Sequence, residues 1–185
     1  NEQDYHFKVL FAILKRLGRP YAEECYHISY GMVDLPSGKM KSREGTVVDA
    51  DELVAQMIQT AANRTQELGK IDDFDSEEAS LLYQNLALGA LKYFLLKVDP
   101  KKRMLFNPEE SIDFQGHTGP FIQYTYARMR SILRKAQQLG LAFEMPSENY
   151  ELHQSERDLI FTLSQYPARV QSAAQDFAPS TISFY

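Results

Sequence analysis

The chain holds a single cysteine, Cys25, in 185 residues. One thiol excludes an internal disulfide framework and a cysteine-based zinc site, and a reducing, cytoplasmic setting is the expectation that follows. No apolar run approaches the roughly 20 residues of a membrane-spanning helix, so no membrane partner is expected. No signal peptide opens the chain. Asn1 stands inside a helix-forming run, which reads as a fragment. Internal repeats and low-complexity tracts are lacking, and His27, His117 and His153 show no ligand spacing, so no metal site is assigned. The net charge of −5 argues against coating nucleic acid by bulk electrostatics.

What is present is ordinary in amount and uneven in placement. Hydrophobic residues make up 44% and charged residues 24%, enough for one or two domains with a real core. Asp72, Asp73, Asp75, Glu77 and Glu78 form an acidic block. Gly119 to Gly140 holds Arg128, Arg130, Arg134 and Lys135 with no acid, and Lys92 to Arg103 is basic apart from Asp99. Local basic surfaces on an acidic protein suit binding of a structured RNA at chosen places.

Periodicity predicts a helix over Asp4 to Leu17, stopped by Gly18 and Pro20. A β-like run follows over Tyr26 to Val33, then a loop from Pro36 to Gly45. Asp49 or Asp51 caps a helix that ends near Gly69. The acidic block caps the next helix, Glu77 to about Lys97, where the helix dipole favours anions. Leu81, Leu82, Leu86, Leu88, Leu91, Phe94 and Leu95 make that helix apolar nearly all round, which places it centrally. Met104 to Gly119 reads as an irregular crossing and a domain boundary. Thr118 or Gly119 then caps a helix with Pro120 at its first turn, running to Leu139. Further helices are predicted over Gln154 to Ser164, Pro167 to Phe177, and from Pro179.

Two constellations carry chemistry. The loop Gly38-Lys39-Met40-Lys41-Ser42-Arg43-Glu44-Gly45 sets Lys39, Lys41 and Arg43 between glycines, which suits contact with a polyphosphate, although such composition is usually an ordinary basic surface turn. On the helix from Pro120, the residues Phe121, Ile122, Thr125, Met129, Ile132, Leu133, Ala136 and Leu139 form one apolar stripe, expected to be core. Tyr124, Arg128 and Lys135 line its border next to Phe121, with Arg130 and Arg134 on the far side. An aromatic beside Arg can stack an unpaired base while the cation meets phosphate; periodicity alone favours an amphipathic helix with snorkelling cations.

The wording of both segments resembles one family. Lys39-Met40-Lys41-Ser42 resembles the Lys-Met-Ser-Lys-Ser loop of class I aminoacyl-tRNA synthetases. Asp113-Phe114-Gln115-Gly116-His117-Thr118-Gly119-Pro120-Phe121-Ile122-Gln123-Tyr124-Thr125-Tyr126-Ala127-Arg128 is similar to the entry of the anticodon-binding domain of arginyl-tRNA synthetases. Gln3-Asp4-Tyr5-His6-Phe7-Lys8 and Tyr30-Gly31-Met32-Val33 resemble, in that family, the end of the nucleotide-binding fold and the strand whose backbone meets adenine. The resemblance covers essentially the whole chain. It implies a mainly α protein: a short α/β remnant of a class I Rossmann-like fold over 1–48, a helical connector over 49–112 and an anticodon-binding helical domain over 113–185.

The resemblance also implies roles. Lys39, Lys41 and Arg43 would be catalytic; Gly31, Met32, Val33, Lys39, Met40 and Ser42 would bind ATP; Gln3 would bind arginine; and Phe121, Tyr124, Arg128 and Lys135 would bind tRNA. ATP with Mg2+, arginine and tRNA(Arg) are the implied substrates, and the full-length protein is expected to be a monomer. Lys41 stands where the family usually has Ser, and Ser42 where the second motif Lys would be. No His-x-Gly-His occurs in the chain, so the 185 residues are not expected to be active alone. The alternatives are a free-standing RNA-binding helical module derived from a synthetase, and a cysteinyl or methionyl relative.

Overall fold

The computed structural model describes residues 2–34, 36, 49–67, 69, 74–142 and 149–185. Helix α1 spans Glu2–Arg16 and is followed by a 3-10 turn at Pro20–Glu23. Strand β1 is Val33–Asp34, α2 is Ala50–Glu67 and α3 is Ser76–Leu96. Strand β2 is Met104–Leu105 and α4 is the single turn Pro108–Ser111. Helices α5 (Gly119–Gln138), α6 (Gln154–Ser164), α7 (Tyr166–Gln175) and α8 (Ser180–Phe184) complete the described chain.

Local chemistry accounts for the helix starts. Asp75 accepts from the N–H groups of Glu77 and Glu78, while the Glu78 carboxylate accepts from the Asp75 N–H. This reciprocal capping box satisfies donors that the first turn of α3 leaves unpaired. Asp49 accepts from the Asp51 N–H at the start of α2. The expected acidic cap of α3 is therefore present, at Asp75.

Helix α3 is the hub, packing against α2, α4, α5 and α8. Its apolar circumference is the reason, since a helix without a polar face is stable only when surrounded. Met57 and Ala61 of α2 meet Leu86, Ala87 and Ala90 of α3, and Phe106 and Ile112 close the cluster. The three alanines let the backbones approach, and the Phe94 ring meets Phe106 edge-on at 5.1 Å. Phe106 is fully buried, and burial of such a side chain contributes roughly 1.5–3 kcal/mol.

The structure departs from expectation in three places. Of the β-like run Tyr26 to Val33, only Val33 enters a ladder; β1 pairs in parallel with β2, Val33 opposite Met104 and Asp34 opposite Leu105. Strand residues need a partner, and just two find one. The stretch read as an irregular crossing holds β2 and α4. The apolar stripe of α5 is not core: Ile122, Met129, Ile132 and Leu133 are exposed, Ile132 at 65%. Gly119 and Pro120 at the start of α5 are buried while the later turns are not. Periodicity marks a face as apolar without supplying the neighbour that covers it.

Candidate functional site

Gly31 to Asp34 lie in the segment that the sequence marks as a candidate for nucleotide contact, and they are among the described residues. The Gly31 N–H donates to the Pro100 carbonyl at 2.6 Å, the Met104 N–H to the Met32 carbonyl at 3.0 Å, and the Phe106 N–H to the Asp34 carbonyl at 2.7 Å. Gly31 lies so tightly against the Lys102 carbonyl that a Cβ would collide with it. Only glycine fits there. Hydrogen-bonding directions alternate along a strand, so this register turns the N–H and C=O of Val33 away from β2. A donor and an acceptor side by side on one strand edge match the paired acceptor and donor of a purine edge.

Arg103 closes the far end of the ladder. Its Nη2 donates to Asp34 Oδ1 at 2.8 Å and its Nε to Oδ2, a bidentate fork. Asp34 raises the guanidinium's already high pKa through that hydrogen bond and its charge. Arg103 thus belongs to the strand, although its place in the run Lys92 to Arg103 reads as RNA-facing. Lys97 likewise lies over the Phe94 ring at 4.5 Å and donates to the His117 carbonyl at 3.1 Å. The bonds from Arg103 to Asp34 and from Lys97 to His117 span 69 and 20 residues, so no local signal foretells them.

Gln3 is exposed on the first turn of α1. The segment after the 3-10 turn is tied to that helix through His27, whose ring stacks on Phe7 at 4.2 Å and meets Asp4 at 3.2 Å. Lys39, Met40, Lys41, Ser42 and Arg43 lie outside the described residues.

The helix that the sequence marks as a candidate for nucleic-acid contact is α5. Its cap is Thr118, whose hydroxyl accepts from the Phe121 N–H at 3.2 Å and donates to the Asp113 carbonyl. Pro120 sits in the first turn, where its missing N–H costs nothing. The start is pinned on α3: the Gln123 amide donates to the Asn85 carbonyl at 3.0 Å and lies over Gly89. Past this anchor the outer edge is open. The Arg128 guanidinium stands 5.8 Å from the Tyr124 ring, which meets Phe114 edge-on at 6.4 Å. Phe121 and Lys135 are exposed along the same border. The structure brings Tyr124 and Arg128 together; Lys135 lies nearly two turns further on.

The end of the chain folds back on the rest. The Tyr93 hydroxyl donates to the Ser183 carbonyl at 3.0 Å, and the Tyr26 and Phe177 rings stack at 4.4 Å with planes 12° apart. Phe177 holds φ +51°, a left-handed conformation that non-glycine residues rarely adopt. These contacts join segments that sequence spacing does not connect.

Strand β1, the helices α2 to α4 and the Thr118-capped basic helix α5 follow one another in this order, and family comparison places the chain among class I tRNA synthetases. The family described as tRNA synthetases class I (R), catalytic domain, matches residues 1–107, and the DALR anticodon binding domain matches 122–185. The chain belongs to the arginine-type class I tRNA synthetases. An arginine–tRNA ligase of Amoebophilus asiaticus is 61% identical over 185 residues, covering 99% of this chain and 31% of that protein. One of Flavobacterium psychrophilum is 56% identical, covering 100% and 30%. The solved Thermus thermophilus arginyl-tRNA synthetase superposes with a TM-score of 0.79 at 30% identity, over 95% of this chain and 28% of that one. The chain thus spans about 30% of the length of the relatives it matches.

Proposed function

We propose that this chain is part of an arginine–tRNA ligase, which activates arginine with ATP and transfers it to tRNA(Arg). The observation that carries the reading is the outward Val33 edge, held through β2 in one chain with the Thr118-capped helix α5. The Gly31 to Val33 backbone takes adenine. Lys39, Lys41 and Arg43 act on the triphosphate, with Met40 and Ser42 beside it. The arginine carboxylate attacks the α-phosphorus, a mixed anhydride forms and pyrophosphate leaves; the loop cations stabilise the charge that builds on it. A hydroxyl of the terminal tRNA ribose then attacks the anhydride carbonyl, releasing AMP. Gln3 contacts the arginine.

Mg2+ travels on the triphosphate, held by phosphate oxygens. Phe121, Tyr124, Arg128 and Lys135 meet the tRNA, the aromatics by stacking and the cations at phosphates. We place the functional divisions at 1–48, 49–112 and 113–185, and the full-length protein as a monomer in the cytoplasm. The 185 residues alone, with no His-x-Gly-His, do not form arginyl adenylate. Arginine-dependent pyrophosphate exchange by that polypeptide would contradict this. The test of the reading is Lys39→Ala in the full-length protein: the arginylation rate falls at least tenfold while tRNA affinity holds (about 1.4 kcal/mol or more of barrier). An unchanged rate refutes the role.

A further inference from the structure

We propose that Arg103 is a positioning residue for the nucleotide strand, its fork on Asp34 holding the Val33 edge in register; this rests on the function proposed above. The β1–β2 ladder is two residues long on each side. A ladder that short is marginal by itself. Its side chains and backbone groups alternate with a period of two, so a slip of one residue would turn the Val33 N–H and C=O inward and present a neighbour's groups instead.

Two features oppose the slip, one at each end. At the first, Gly31 is seated against the Lys102 carbonyl, where no side chain fits, and donates to Pro100. At the second, Arg103 grips both carboxylate oxygens of Asp34. A planar fork on a carboxylate has one geometry, so it specifies position where a single charge would not. The Asp34 side chain is only 14% exposed while that of Arg103 is 53% exposed, so the carboxylate is the partly desolvated member of the pair. Three residues after Arg103, buried Phe106 donates to the Asp34 carbonyl and carries the register into the core.

The experiment is steady-state arginylation by the full-length protein, titrating ATP, arginine and tRNA separately for the parent, Asp34→Asn, Arg103→Met and Arg103→Lys. The KM for ATP rises about tenfold in Asp34→Asn and Arg103→Met, a factor equal to ~1.4 kcal/mol. The KM values for tRNA and arginine stay within about twofold, and Arg103→Lys recovers only part of the loss because an ammonium cannot fork. An unchanged KM for ATP overturns the proposal. So does a parallel rise for ATP and tRNA with a lowered melting temperature, which marks a general structural role. A parent protein that does not arginylate tRNA refutes the functional reading itself, separately from any variant.

Discussion

Gly119, the first residue of α5, lies directly against the carbonyl of Gly89 in α3, leaving no room for a Cβ between the two backbones. The two glycines are not equivalent. A Cβ on Gly119 would strike backbone, whereas one on Gly89 would fall 2.6 Å from Nε2 of Gln123, the movable end of a side chain. Gly119→Ala is therefore expected to destabilise by about 1–3 kcal/mol, the usual cost of overpacking. Gly89→Ala should cost less, because Gln123 can yield and alanine gains up to ~1 kcal/mol of helix propensity. Denaturant unfolding of both variants decides it; equal losses would contradict the asymmetry.

The pairing of Arg128 with Tyr124 predicts how RNA binding responds to substitution. In the full-length protein, Arg128→Ala should weaken tRNA binding and reduce the slope of log affinity against log salt by about one, as expected for one lost phosphate contact. Phe121→Ala should cost about 1–3 kcal/mol of affinity with no change in salt slope, since stacking releases no counterion. Arg134→Ala, on the opposite border, should do neither. Filter binding across a salt series measures all three, and a larger effect at Arg134 would place the RNA on the wrong edge.

Tyr93 makes the docking of α8 sensitive to loss at alkaline pH. Burial disfavours the phenolate and raises the pKa of the hydroxyl that donates to Ser183. A raised folded pKa means the contribution is whole below the unfolded value near 10 and fades as pH climbs through the folded one. Tyr93→Phe should cost about 1 kcal/mol at pH 7, the worth of one hydrogen bond, or roughly 2–4 °C of melting temperature. The gap between parent and variant should narrow above about pH 10. A gap that stays constant to pH 11 would refute the role of the hydroxyl.

Much of the fold was legible because helix starts are local events. Asp75 with Glu78 three residues on, and Thr118 before Gly119-Pro120, announce their caps within one turn of chain, and the structure forms both. Helix α6 occupies the expected Gln154–Ser164. The β-like run from Tyr26 was not legible in the same way: its composition suits a strand, but pairing required Met104 and Leu105, some 70 residues away. The α5 stripe shows the same limit. Its period is helical, yet its later turns stay exposed because an apolar face does not specify a neighbour.

The candidate site divides along that line. The order of residues alone determined the wording of the Thr118 to Arg128 entry and the place of every helix longer than one turn except the 3-10 turn at Pro20–Glu23. These depend on groups within a few residues of one another, where backbone geometry leaves few choices. The tertiary structure decided that Arg103 faces Asp34, that Tyr26 stacks on Phe177, and that the Val33 backbone turns away from β2. Those pairings close loops of roughly 70 to 150 residues, and such contacts form only where packing of the whole chain around α3 repays the entropy of bringing distant segments together.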